Sequence, residues 1–187
     1  MRRITPFMFL AASLFAGAPL AAAAEQADTS VGQDAPLSHP GFGALKWGAP
    51  IKAVYAVYPA LKKTYRPAEV VKALRAGRGV VLSVPVMFRD QKFTARLRVD
   101  PDGLHRVDLT REISSAPGAP TADKVLDPII GTLPAPDEQP NRKVWKGATT
   151  VLVLTTEALA ASTRLELAFI DAAAYRPEEA GGSLTIE

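Results

Sequence analysis

The sequence predicts an α+β fold, an antiparallel β-sheet of about five to seven strands with one to three helices packed on one face. Three observations carry this. Val80 to Arg111 alternates apolar and polar residues at period two through three segments separated by two turns. Ile51, Val54, Tyr55 and Tyr58 recur at i, i+3, i+4 and i+7, the apolar stripe of a helix. Val144 to Ile170 repeats the strand alternation and supplies a further pair.

In chain order, Met1-Arg2-Arg3, the apolar run Phe7 to Leu20 and the small residues Ala22-Ala23-Ala24 form a signal peptide expected to be cut after Ala24. The run is too short to span a bilayer, and no later stretch is long and apolar enough. The twin arginine lacks its usual surroundings, so ordinary secretion is the expected route. Glu25 to Pro40 is Ala-, Asp-, Ser-, Gly- and Pro-rich and reads as a flexible linker in which nothing rigid holds His39. A single domain is expected over residues 41–175, followed by a loose tail at 176–187 in which Leu184-Thr185-Ile186 offers an edge strand.

Within that domain, Phe42 to Trp47 reads as one short strand. Pro50 suits a first helical position and Pro59 stops the helix that follows. A second helix is expected from Pro67 to Ala76, with Gly77 past its end. The three-stranded unit comes next. Asp100-Pro101-Asp102-Gly103 predicts a three-residue hairpin loop. Asp100 then faces Leu104 and Val99 faces His105; further back Leu97 faces Val107, Arg98 faces Arg106, Arg96 faces Asp108 and Thr94 faces Thr110. Upstream, Arg89 to Lys92 is read as a four-residue turn, setting Phe88 against Phe93, Val86 against Ala95 and Val84 against Leu97. Pro85 cannot donate a ladder hydrogen bond, so this strand belongs at a sheet edge or carries a bulge. Sheet edges of this kind are open to pairing with a second chain.

After the Ser114 to Pro120 linker, Thr121 caps a helix carrying Val125, Leu126, Ile129, Ile130 and Leu133, which Pro128 is expected to kink or break. Pro134, Pro136 and Pro140 enforce an extended connection. Val144 to Thr155 reads as one strand and Arg164 to Ile170 as its partner, with a longer loop or a helical turn between them.

The full chain of 187 residues holds 22 Lys+Arg against 19 Asp+Glu. Arg2 and Arg3 are the only charged residues of the leader, so its removal leaves 20 against 19 and a net charge of +1. The basic character of the full sequence therefore does not argue for nucleic acid. Absence of Cys excludes disulfides, thiolate ligands and thiol nucleophiles.

Leu45-Lys46-Trp47-Gly48, a helix ending at Tyr58-Pro59, Gly103-Leu104 with Val107, and Trp145 with Thr150 and Leu152 together resemble small secreted bacterial α+β domains, mostly uncharacterised. In these a Trp-Gly step opens an amphipathic helix packed on an antiparallel sheet. The resemblance implies fold and compartment and brings no catalytic residue with it. It departs at Pro128, where such domains keep a helix unbroken.

Candidate binding residues are Arg96, Arg98, Arg106 and Trp145. The three arginines gather on the outer face of the central hairpin, either as a patch for an acidic partner or as a solvated sheet face. Trp145, like Trp47, is a stacking aromatic or a core anchor. His105 is expected to cap the core beside Val99, on the face opposite Asp108. No serine lies in a nucleophile elbow, and no metal-ligand spacing or phosphate-binding glycine loop is present. The expected function is that of an exported, non-enzymatic periplasmic binding or cell-envelope interaction domain without cofactor or metal. An anionic glycan or lipid binder using the arginines is one alternative, and a small hydrolase using His105 another.

Overall fold

The computed structural model describes residues 37–139 and 141–177. The leader, most of the linker and the Leu184 to Ile186 segment lie outside the described residues. Among the described residues the fold is mixed α+β, with a two-stranded sheet, a seven-stranded antiparallel sheet and four helices, one more than the upper expectation. The strands are β1 (Gly41–Phe42), β2 (Leu45–Lys46), β3 (Val80–Phe88), β4 (Gln91–Asp100), β5 (Gly103–Ser114), β6 (Asp137–Gln139), β7 (Arg142–Lys146), β8 (Thr150–Ala158) and β9 (Ser162–Asp171). The helices are α1 (Ile51–Val57), α2 (Leu61–Thr64), α3 (Pro67–Arg75) and α4 (Ala122–Ile130). The large sheet runs in the order β3-β4-β5-β9-β8-β7-β6.

Alternation decides which residues enter the core. Leu82, Ala95, Leu97, Val107, Leu109, Leu152, Leu165 and Leu167 are buried in one cluster with Val54 and Tyr55 of α1, Leu61 of α2, Val70 of α3 and Val125, Leu126 and Ile129 of α4. Phe88 sits among Phe42, Phe93 and Phe169, with ring centroids 5.6 to 6.3 Å apart, an edge-to-face and tilted arrangement that aromatic quadrupoles favour. On the opposite face a smaller cluster joins Val144, Val151, Val153, Ala168 and Ile170, with Ala172 and Tyr175 against it.

Two expected registers are corrected near their turns. The first hairpin closes on two residues, Arg89 and Asp90, both at positive φ (49° and 59°), so Phe88 pairs with Gln91, Val86 with Phe93 and Val84 with Ala95. This shift of two residues keeps every side chain on its face, because strand periodicity is two. In the second hairpin Asp100 pairs with Gly103 and Val99 with Leu104, and a bulge beside Arg98 inserts His105 as the extra residue. Beyond the bulge Arg98 faces Arg106, Leu97 faces Val107 and Arg96 faces Asp108, as the sequence predicts.

The bulge lets the hairpin tip dock. Gly103 lies at φ 117°, and a Cβ there would fall on the carbonyl of Gly48. Gly48 N–H donates to Leu104 O at 2.8 Å and Leu104 N–H donates to Ala49 O at 3.0 Å. The Trp47-Gly48 step and the Gly103-Leu104 step, distant in sequence, are thus one backbone contact that only glycines admit.

Five further expectations change. Phe42 to Trp47 is a hairpin of β1 and β2 rather than one strand. Val144 to Thr155 is two strands, turning through Gly147 so that Trp145 faces Leu152. β8 runs on to Ala158 and pairs with β9 through Ala158 and Thr163, leaving a tight turn where a longer loop or helical turn was expected. Helix α4 continues through Pro128, which lies in its last turn and is exposed. The carbonyl it frees belongs to exposed Lys124, where water can satisfy it. Finally, Leu37 to Pro40 are held to the sheet. Thr150 Oγ1 donates to His39 O at 2.6 Å, and Leu37 packs against the main core.

Both edges of the large sheet are blunted. In β3 the Phe88 and Gln91 pairing makes Val81, Ser83, Pro85 and Met87 the positions whose backbone points outward. Pro85 has no N–H to offer, and the Ser83 N–H donates to the Tyr65 hydroxyl at 2.9 Å. The opposite edge, β6, is three exposed residues, Asp137, Glu138 and Gln139. Short, charged and proline-bearing edges resist strand addition.

Candidate functional site

On the sheet face that carries Ser83, Arg96, Asp108 and Ala168 as cross-strand neighbours, the three arginines meet two carboxylates. Asp108 is 1% exposed. Its Oδ2 accepts from Arg98 Nε at 2.7 Å and its Oδ1 from Arg106 Nε at 2.5 Å. One carboxylate thus offsets the two guanidiniums that strand pairing sets directly opposite each other. Asp108 bonds the inner nitrogen of each, and the terminal nitrogens of both make no hydrogen bond among the described residues. Arg106 Nη2 lies 3.6 Å from Glu166 Oε1, longer than a hydrogen bond. Arg96 is exposed and makes no hydrogen bond or ion pair among the described residues.

Glu166 comes from β9, opposite Thr110 on β5 and Thr155 on β8. Burial, and then the Asp108 charge, push its carboxyl above the ordinary glutamate value, while Arg106, Arg96 and Arg98 pull the other way with less effect. Three cations against two carboxylates leave this patch at about +1 when Glu166 is ionised. Further along the same face Arg164 is held by Glu112 at 3.0 Å and Glu157 at 3.1 Å and belongs to a separate, exposed network.

Sequence reasoning named Arg96, Arg98 and Arg106, and the structure brings them together. It missed Glu166, whose nearness depends on the pairing of β5 with β9. Trp145 is placed elsewhere. It is 4% exposed, lies in the main core and donates from Nε1 to Pro134 O at 2.8 Å, so its ring offers no face for stacking. Trp47 is part-buried and donates from Nε1 to Thr150 Oγ1 at 2.9 Å. His105 lies with Nδ1 3.1 Å from Asp100 Oδ2 at the hairpin tip, away from Asp108. Among the described residues no hydroxyl nucleophile is bonded to it.

An open cleft of about 750 Å³ lies between α4 and the ends of β7, β8 and β9, lined by Leu154, Thr156 and Thr163 and by the charged Asp123, Lys124, Asp127 and Lys143. Its charges balance and select no ligand class. Among the described residues no group of His, Asp and Glu could hold a metal ion, and no helix is long and apolar enough to cross a membrane.

No family model matches the chain, and no curated protein or solved structure matches it either. The resemblance to small secreted α+β domains therefore rests on the Leu45 to Gly48 step, the helix ending at Tyr58-Pro59, Gly103-Leu104 with Val107, and Trp145 with Thr150 and Leu152.

Proposed function

We propose that the chain is an exported, non-enzymatic binding domain of the bacterial cell envelope that docks onto the phosphate groups of an envelope glycan or lipid through Arg96, Arg98 and Arg106. The observation that carries this reading is the Asp108 carboxylate, which holds two guanidiniums by their inner nitrogens and leaves their terminal nitrogens without a hydrogen bond among the described residues, on the face that also carries the unpaired Arg96. Guanidinium groups fixed in this way lose little freedom on meeting a phosphate, and their paired N–H groups match its oxygens. The blunted edges disfavour strand addition as the mode of recognition. The helices, sharing one apolar cluster with the inward rows of the sheet, leave the arginine face for contact. The basic start, apolar run and small-residue site of the leader support the envelope as the compartment.

Binding of the mature protein to phosphatidylglycerol vesicles, to phosphatidylcholine vesicles and to poly(glycerol phosphate) tests this and separates the two phosphate sources. We expect retention by an anionic probe that weakens steeply as salt shortens the range of charge interactions. The variant Arg96→Glu, Arg98→Glu, Arg106→Glu loses it. Binding indifferent to salt, or undiminished in the triple variant, would overturn the proposal. Intact-mass measurement of the periplasmic protein checks the compartment and cleavage after Ala24.

A further inference from the structure

We infer that Glu166 is a built-in competitor for this arginine site: its carboxylate stands where a ligand phosphate would meet Arg106, and protonating or displacing it opens the site. The inference rests on the phosphate-docking reading above and adds its regulation.

The two carboxylates of the patch are not equivalent. Asp108 is buried, with both oxygens committed to Nε donors, so it is part of the scaffold. Glu166 has a side chain 36% exposed and reaches only one outer nitrogen, at 3.6 Å. A loosely held carboxylate on the solvent side of a guanidinium occupies the same coordination direction as an incoming anion.

The charged groups around Glu166 set its response to pH. From β5 it faces Arg106 and Asp108, and from β4 Arg96 and Arg98 act on it at longer range. Its immediate partners Thr110 and Thr155 are uncharged. Along β9, Arg164 is turned to Glu112 and Glu157. From β7, Arg142, opposite Thr155, is turned to Gln139 and to the carbonyl of Pro177. Protonation therefore removes the carboxylate nearest the outer nitrogens and raises the local charge from about +1 to about +2. Because burial lifts the proton affinity of Glu166, this change comes at milder acidity than for an exposed glutamate.

The test is the affinity of full-length mature protein for poly(glycerol phosphate), whose phosphodiesters stay ionised, measured from about pH 7.5 to about pH 4.5. Wild type, Glu166→Gln and the control Glu157→Gln are compared, each shown to be folded by circular dichroism. Wild type should bind more tightly as pH falls. Glu166→Gln should bind about three- to tenfold more tightly at neutral pH, the size of one nearby like charge in a partly screened site, and lose most of the pH slope. Glu157→Gln should keep the wild-type profile. Equal affinity and slope in wild type and Glu166→Gln, or an equal gain in Glu157→Gln, would overturn the competitor role while leaving the docking reading in place. Absence of binding by every protein at every pH would overturn both.

Discussion

Asp108 shows how one side chain can decide the character of a surface. Without it, Arg98 and Arg106 would face each other across a strand pair as like charges. With both oxygens engaged and the group buried, the energetic asymmetry is large, because removing the charge leaves two partly buried guanidiniums uncompensated. Asp108→Asn is expected to lower unfolding free energy by about 2 to 3 kcal/mol in urea denaturation. A variant as stable as wild type would mean that the arginines find other partners. Most of this network was legible in the sequence, since the Asp100 to Gly103 turn ties Arg98 to Arg106 and Arg96 to Asp108. The role of His105 was not legible. A single bulge moved it out of register and put its ring beside Asp100 instead of Val99. Turn chemistry specifies that a hairpin closes, but loop lengths of two and three residues share the same Pro and Gly signals, and docking against Gly48 selected between them.

At the scale of the element, β3 is a strand designed to have no neighbour on its outer side. Pro85 removes one outward donor and Tyr65, from the turn after α2, consumes another. Pro85→Thr combined with Tyr65→Phe restores two adjacent outward N–H groups without changing the inward row. This double variant is expected to self-associate at concentrations where the wild type sediments as a single species in analytical ultracentrifugation. An unchanged sedimentation profile would show that the remaining features of the edge suffice. Pro85 gave the edge position away in the sequence, whereas the tyrosine cap did not. Pro128 gave the opposite lesson, because a proline on the exposed side of a helix's last turn leaves a carbonyl that water can reach, and α4 continues.

The whole molecule is ordered by pairings between segments far apart in sequence, and its pH response belongs at this scale. Glu166 binds its proton more tightly in the folded chain than an unfolded glutamate does. Between the ordinary glutamate value and the raised folded value, the native state therefore carries more protons, and this group's contribution to stability falls as pH rises through that window. Thermal unfolding of wild type relative to Glu166→Gln should show the wild type losing ground from acid toward neutral pH. A difference independent of pH would refute the raised proton affinity. By itself the sequence determined the α+β class, the strand faces, the positions of α1 and α3, and the gathering of Arg96, Arg98 and Arg106, because periods of 3.6 and 2 and the turn residues act over a few neighbours. Only the tertiary structure decided that β5 takes β9 as its second partner beside β4, that Trp145 enters the core, that Leu37 to Pro40 are tied to β8 at Thr150, and that Glu166 lies near Arg106. Those contacts join segments whose local patterns are equally compatible with several partners, and the burial of one shared core chooses among them.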